Sequence, residues 1–201
     1  MKNKYLTHSL DEFTKEIKNF AKKSNDIDRI CIELFEFVRD IPYGTIGSRD
    51  LRDVFKKNKG TCSGKHELLK YLFKLIDIKV SDIIVMHAFN DLPVAFPQKI
   101  MTLFESGDIL DPHNVIRIHS KGQWHIVDAT WDSPLEQVGF PVNRDWDGKS
   151  GMKLCVVERE IIETNNPIET KKLMIKQLPQ EMQERRKKFL KDLTIWLDKV
   201  R

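Results

Sequence analysis

Cysteine is scarce in this 201-residue chain: there are three, Cys31, Cys62 and Cys155. An odd, widely spaced set provides no disulfide framework and matches no zinc-ligand pattern, so a reduced, cytoplasmic setting is the expectation. Long apolar runs are missing too. No stretch approaches the roughly 20 residues a helix needs to cross a bilayer, and the opening "MKNKYLTHSLDEF" lacks the apolar segment of a signal peptide. Nor does one sign of charge dominate. Lys and Arg number 34 against 30 Asp and Glu, for a net charge of +4, and the two signs are interspersed. The densest basic run, "ERRKK" at 184–188, reads as the solvated face of a helix, because a nucleic-acid surface needs a one-sided basic patch, preferably with interleaved aromatics. Neither a nucleic acid nor a membrane is an expected partner. There is no internal repeat, low-complexity tract or linker.

What is present is a globular composition, 40% apolar and 32% charged, with length enough for one domain and a sizeable core. One domain over 1–201 is expected, with N-terminal helices over 1–39, a core over about 40–158 and a C-terminal helix over 179–201. Ser9 followed by Glu12 is a capping-box pattern, and Leu10, Phe13, Ile17 and Phe20 keep helical spacing. A second helix over 27–39 turns Ile30, Leu34, Phe37 and Val38 inward, with Cys31 as a small hydrophobe in the same stripe. Pro and Gly in "DIPYGTIG" stop the helices; a short helix over 48–57 follows. After Gly60-Thr61-Cys62 comes a strong helix to about 77. "VSDIIVMHAF" at 80–89 reads as a strand, with His87 structural. Residues 90–112 are mostly irregular apart from a short helix at 97–105. A loop over 131–151 leads to a short strand, "KLCVV" at 153–157, with Cys155 in the core. From Pro179 an amphipathic helix turns Met182, Phe189, Leu193, Trp196 and Leu197 inward. Helices followed by mostly antiparallel strands make an α+β plan.

Two stretches carry chemistry. In "HNVIRIHSKGQWHIVDATWD" (113–132) alternation is broken once, at Lys121-Gly122, where a two-residue hairpin turn fits. That register pairs Ser120 with Gln123 and sets Asp128 opposite Val115. His113 and Asp128 then become diagonal neighbours on one face, about 7 Å apart at Cβ, close enough to hydrogen-bond. In "NKGTCSGKHELLKYL", Cys62 opens a helix whose Leu69, Phe73 and Ile76 lie within roughly 40° of it at about 100° per residue. Thr61 is an acceptable N-cap. A cysteine in a first turn meets free N–H groups and the positive end of the helix dipole; a nearby imidazolium lowers its pKa further. Such a thiolate can attack an acyl carbon, with its own backbone N–H as an oxyanion donor.

These residues together resemble the transglutaminase-like superfamily of papain-like thiol enzymes. The shared pattern is a Gly-x-Cys at a helix start, a His opening a strand, and a Gly-x-Trp-x-x-x-Asp-x-Thr on the next strand, here Gly122, Trp124, Asp128 and Thr130. The likeness spans about residues 40–132 and includes "IPYG" ahead of the cysteine. It implies a papain-like α+β fold, with a Cys-bearing helix packed on an antiparallel sheet and flanking helices at both ends. It assigns Cys62 as nucleophile, His113 as general base and then acid, and Asp128 as the group that orients the imidazole. The chain departs from the pattern at Val115, where an aromatic is frequent, at Ala129, where Pro is usual, and at His66, where a small residue is favoured. Tyr43, His66 and Trp124 are weaker candidates for substrate or oxyanion contacts, with a packed role favoured for His66. A metal set of His113, His119 and Asp128 fits no standard spacing, so no metal and no cofactor is expected. The implied activity is acyl transfer from an amide through a thioester, on a protein or peptide substrate. The other class left open is a non-catalytic binding module that kept the fold.

Overall fold

The structure, a computed structural model, describes residues 9–201. The expected helical region over 1–39 is described from Ser9 onward, and its first eight residues lie outside the described part. Helix α1 (Leu10–Lys23) opens on the capping box: Ser9 Oγ accepts from the Glu12 N–H, and Glu12 accepts from the Ser9 N–H. Its Leu10, Phe13 and Ile17 are buried, but Phe20 is 47% exposed. Helix α2 (Ile27–Arg39) is capped by Asp26 and buries Ile30, Cys31, Leu34 and Val38. Short α3 (Leu51–Lys57) is capped by Asp50, and α4 (Cys62–Lys74) follows.

The sheet has four strands in the order β3-β2-β1-β4, every neighbour antiparallel: β1 (Val80–Ala88), β2 (Leu110–Ser120), β3 (Gln123–Val127) and β4 (Glu160–Thr164). Between β1 and β2 lie a 3₁₀ turn at Phe89–Asp91 and a one-turn helix, α5 (Gln98–Met101). The β2–β3 hairpin has the expected register, Ser120 opposite Gln123. Its turn residues Lys121 and Gly122 take φ of 50° and 82°, the paired positive values that a tight hairpin demands.

Two elements differ from expectation. Residues 153–157 form no strand; the Cys155 N–H is spent on the Asp128 carboxylate, so the segment wraps a side chain where a ladder was expected. The fourth strand is β4, whose largely exposed pattern gives little alternation to read. The chain then makes a helix that was not expected, α6 (Pro167–Gln177), with Asn166 as N-cap accepting from the Glu169 N–H. The final helix, α7 (Gln180–Val200), buries Phe189, Leu193 and Leu197.

Alternation along β2 divides the core. Ile116 and Ile118 join α1–α4 in one cluster, with Leu69, Phe73 and Trp146. Val115 joins Ile83 and Val85 of β1 in the other, beneath Phe189, Leu193 and Leu197 of α7. Each large apolar side chain buried this way contributes roughly 1.5–3 kcal/mol. Cys62 belongs to the second cluster although its helix packs in the first. The first turn of α4 thus reaches past the sheet to the α7 side. This is the α+β arrangement the sequence implied, a cysteine-bearing helix on an antiparallel sheet flanked by helices.

Candidate active site

The segment ahead of α4 is fixed by main-chain bonds. Gly44 N–H donates to Gly60 O and Gly60 N–H to Pro42 O, each at 3.1 Å, a parallel bridge that lays Tyr43 beside the helix start. Thr61 makes no side-chain capping bond. The first N–H groups of α4 therefore keep no side-chain cover from Thr61, which is the arrangement an oxyanion needs. Ser63 Oγ donates to Asn114 Oδ1 at 2.7 Å, tying that turn to β2.

His113 and Asp128 meet as the register required. Nε2 of His113 lies 2.9 Å from Asp128 Oδ2, and the imidazole and the Cys62 thiol are near enough to shift one another's titration. With Nε2 on the carboxylate, Nδ1 is the nitrogen left for sulfur. Asp128 is fully buried and saturated: Oδ2 also accepts from the Cys155 N–H at 2.9 Å, and Oδ1 accepts from the Thr130 hydroxyl at 2.6 Å and the Thr130 N–H at 3.2 Å. Burial alone would raise its pKa, but the His113 charge and these donors hold the carboxyl well below its usual range. Burial would likewise lower the His113 pKa; Asp128, then Cys62, push it up to about 10. For Cys62 the opposing influences are burial, which raises the thiol, and the Lys171 ammonium and His113, which bring it down to about 6. The favoured state near neutrality is a thiolate–imidazolium pair.

His66 sits one turn along α4 with both ring nitrogens bound by main chain. Nδ1 lies 2.9 Å from Cys62 O, and the Ala129 N–H donates to Nε2 at 3.0 Å. An Nε2 that accepts leaves the proton on Nδ1. Burial depresses this ring to about 4, so it is a neutral clamp between the α4 start and the strand end that carries Asp128. It has no nitrogen left for a substrate. Trp124 is placed elsewhere as well. It pairs with His119, six residues along β2 from His113, about 20 Å at 3.4 Å per residue, and is 45% exposed. Its ring meets that of His119 edge to face and lies under the Arg117 guanidinium: it belongs to the hairpin tip. Tyr43 does reach the site. It is buried against Trp131, ring centroids 4.4 Å apart. Burial, then the negative charges of Cys62 and Asp111, raise its pKa well above the ordinary phenol, so it remains a neutral hydroxyl. His87, read as structural, lies with its ring centroid 5.8 Å from that of His113.

The structure adds three groups that the sequence did not disclose. Lys171 of α6 is 3% exposed, with Nζ 3.6 Å from Cys62 Sγ and 3.2 Å from Asp111 Oδ2. Asp111, just before His113, also accepts from Arg186 of α7, at 2.6 Å from Nε and again from Nη2. Together they form the floor of a cleft of about 940 Å³, whose walls come from Tyr43, residues 45–49 and α7. Cys62 itself is 1% exposed; α6 lies over it. Asn166-Pro167-x-Glu169 is a helix-start pattern that sequence could have offered, but nothing in the sequence marks Lys171 as buried. A second buried lysine, Lys65, donates to Arg39 O at 2.8 Å and Thr130 O at 2.6 Å, anchoring α4 to the loop after Asp128.

Among the described residues no group of three or more His, Cys, Asp or Glu is placed to hold a metal ion, and no helix is long and apolar enough to cross a membrane.

No family model matches the chain, and no curated protein matches it. Among solved structures, one named a putative cysteine protease from Cytophaga hutchinsonii is similar over 63% of this chain and 39% of its own, with 19% identity and a TM-score of 0.41. A structure named a TGase is similar over 63% of this chain and 34% of its own, with 15% identity and a TM-score of 0.39. The chain thus spans 39% of one and 34% of the other.

Proposed function

We propose that the chain is a thiol-dependent acyl-transfer enzyme that acts on an amide bond, in a protein or peptide, through a Cys62–His113–Asp128 triad. The observation that carries this is His113, bracketed by the Cys62 thiol on one side and the Asp128 carboxylate, 2.9 Å from Nε2, on the other. The transglutaminase-like motif supports the same roles. The Cys62 thiolate adds to the amide carbonyl, and the developing oxyanion is met by the N–H groups at the start of α4, with the Tyr43 hydroxyl as a further donor. The C–N bond breaks as the His113 imidazolium gives its proton to the departing amine. The thioester is then resolved by water, or by an amine, deprotonated by His113. Asp128 keeps the imidazole oriented throughout. The chemistry needs a free thiol, which fits a reducing cytoplasm.

Cys31 and Cys155 supply internal controls, because burial raises the first to about 12 and the second well above an ordinary thiol. Iodoacetamide near neutral pH is expected to label Cys62 much faster than either, and His113→Ala to slow that labelling. Equal, slow labelling of all three cysteines would falsify the enzyme. Peptide, glutamine and glycopeptide amides, with a Cys62→Ala control, then identify the acyl donor.

One observation favours a second reading. Lys171 and α6 cover the sulfur, as they would in a binding module that kept the fold without turnover. The same labelling experiment separates the two.

A further inference from the structure

The walls of the cleft floored by Lys171, Asp111 and Arg186 are unequal in charge. Six of its lining residues are cationic, Arg49, Lys171, Arg186, Lys187, Lys188 and Lys191, against two carboxylates, Asp111 and Glu184. Asp111 is already shared by Lys171 and Arg186, so the floor carries a surplus of one positive charge, balanced only by the thiolate of Cys62 at 3.6 Å. Acylation removes that balance at the floor, while the proton given up by His113 leaves the charge of the site as a whole unchanged. Once sulfur is a thioester it bears no charge, and the buried Lys171 ammonium is left with half of one carboxylate. An unpaired buried cation is costly, so an anion brought in by the substrate would restore the pairing. Beyond the floor, Lys187, Lys188 and Lys191 project from exposed positions on α7, and Arg49 faces them from the opposite wall. The "ERRKK" run is thus one side of a cleft that reaches Lys171, the residue in contact with the sulfur, as well as a solvated helix face. A concave wall of one sign concentrates counter-charged ligands far better than a flat surface does.

We infer that the cleft binds an anionic acyl donor: a peptide with a carboxylate side chain next to the amide that is cleaved, seated on Lys171 and Arg186, and further acidic residues along Lys187, Lys188 and Lys191. Only its assignment as a substrate site rests on the thiol chemistry proposed above; the charge of the cleft does not. A cleft of about 940 Å³ is within the range of pockets that hold ligands. A single-stranded nucleic acid also carries negative charge, but the one aromatic in the lining of the cleft, Tyr43, is packed against Trp131 and offers no open face for a base.

The test uses the full chain with Cys62→Ala, so that binding is read without turnover. Fluorescence anisotropy compares a labelled Glu-rich octapeptide with its Gln-rich counterpart at low ionic strength. The acidic peptide is expected to bind at least tenfold more tightly, with the preference fading as salt is raised. The triple variant Lys187→Gln, Lys188→Gln, Lys191→Gln leaves the buried face of α7 intact and should weaken acidic-peptide binding by roughly tenfold, about twofold for each charge. Equal binding of the two peptides, or no effect of the triple substitution, overturns the inference. So does displacement of the peptide by an oligothymidine that binds far more tightly than it does. With Cys62 restored, iodoacetate should alkylate it faster relative to iodoacetamide than it does free cysteine, and the triple variant should abolish that advantage. If Cys62 reacts sluggishly with both reagents while the acidic peptide still binds, the enzyme falls and the anionic cleft stands. If Cys62 reacts fast but the acidic peptide gains nothing, the substrate class falls alone.

Discussion

The ammonium of Lys171 lies 3.6 Å from the sulfur of Cys62 and 3.2 Å from Asp111. Its charge and that of His113 both lower the thiol. Replacing it by Met keeps the volume and removes the charge. The alkylation rate of Cys62 against pH is then expected to move its midpoint upward from about 6, by about one pH unit or more. The plateau rate should rise, since α6 loses an anchor over the sulfur. An unmoved midpoint would show that His113 alone sets the thiolate.

Asp128→Asn removes the anion that holds His113 charged while leaving a side chain of the same shape. Burial is then opposed by Cys62 alone, and the titration should fall from about 10. Nitrogen-15 spectra of the ring, recorded between pH 5 and pH 11, read this directly. An Asn amide N–H turned toward the ring makes Nε2 the acceptor and moves the proton to the nitrogen that faces sulfur, the wrong tautomer for proton relay, so turnover should fall by about 10³- to 10⁴-fold. A ring that still titrates near 10 would mean that Asp128 does not govern it.

Stability should be flat in mildly alkaline solution and fall steeply in acid. His113 is raised, so its contribution is complete below 6.5 and is lost as pH climbs toward about 10. Cys62 is lowered from 9.0 to about 6, so its contribution grows over the same interval. The native pair has simply exchanged a proton relative to the unfolded chain, and the two slopes cancel between about pH 6.5 and 9. Below 6.5 no such cancellation operates. His66 and His87, depressed to about 4 and about 3, take up protons in the unfolded chain first, and stability is lost as pH falls. His66 alone accounts for about 3 kcal/mol by pH 4. Urea midpoints at pH 8, 7, 5.5 and 4 should stay level and then drop. His66→Gln, whose amide can still serve both main-chain partners, should soften the drop. A steady decline from pH 8 would contradict the exchanged pair.

Gly148 and Gly122 take nearly the same φ, 81° and 82°, yet differ in room. A Cβ at Gly148 would lie 2.2 Å from Asp28 O, whereas at Gly122 nothing lies within 4 Å. Gly122→Ala should cost about 1 kcal/mol for the left-handed backbone alone. Gly148→Ala adds a clash with main chain and should exceed 3 kcal/mol. Equal losses in thermal melts would mean that the loop over 139–151 yields freely.

The hairpin was legible because one turn fixed everything after it: Lys121-Gly122 sets the register, and the register brings Asp128 to His113. Cys62 was legible from its place at a helix start. The helix cap at Ser9 and the stripe of α2 followed from spacing alone. Lys171, Asp111 and Arg186 were not, because a lysine buried against a sulfur has the same local signature as one in solvent; only the docking of α6 and α7 on the sheet distinguishes them. Trp124 shows the converse. It was singled out by its place in the motif, but a strand extends about 3.4 Å per residue, and six residues carry it to the far end of the hairpin. The expected strand over 153–157 failed because a buried carboxylate competes for backbone N–H groups on equal terms with a neighbouring strand.

His66 spans the joint between the start of α4 and the residue after Asp128 with one donated and one accepted bond. Its proton is therefore held by the separation of those two main-chain segments. Should the helix start draw back by even an ångström, one bond opens and the tautomer is no longer dictated. The ring is a built-in strain gauge for the gap between helix and strand, readable by nitrogen chemical shift while the sulfur, the imidazole and the acid are left untouched.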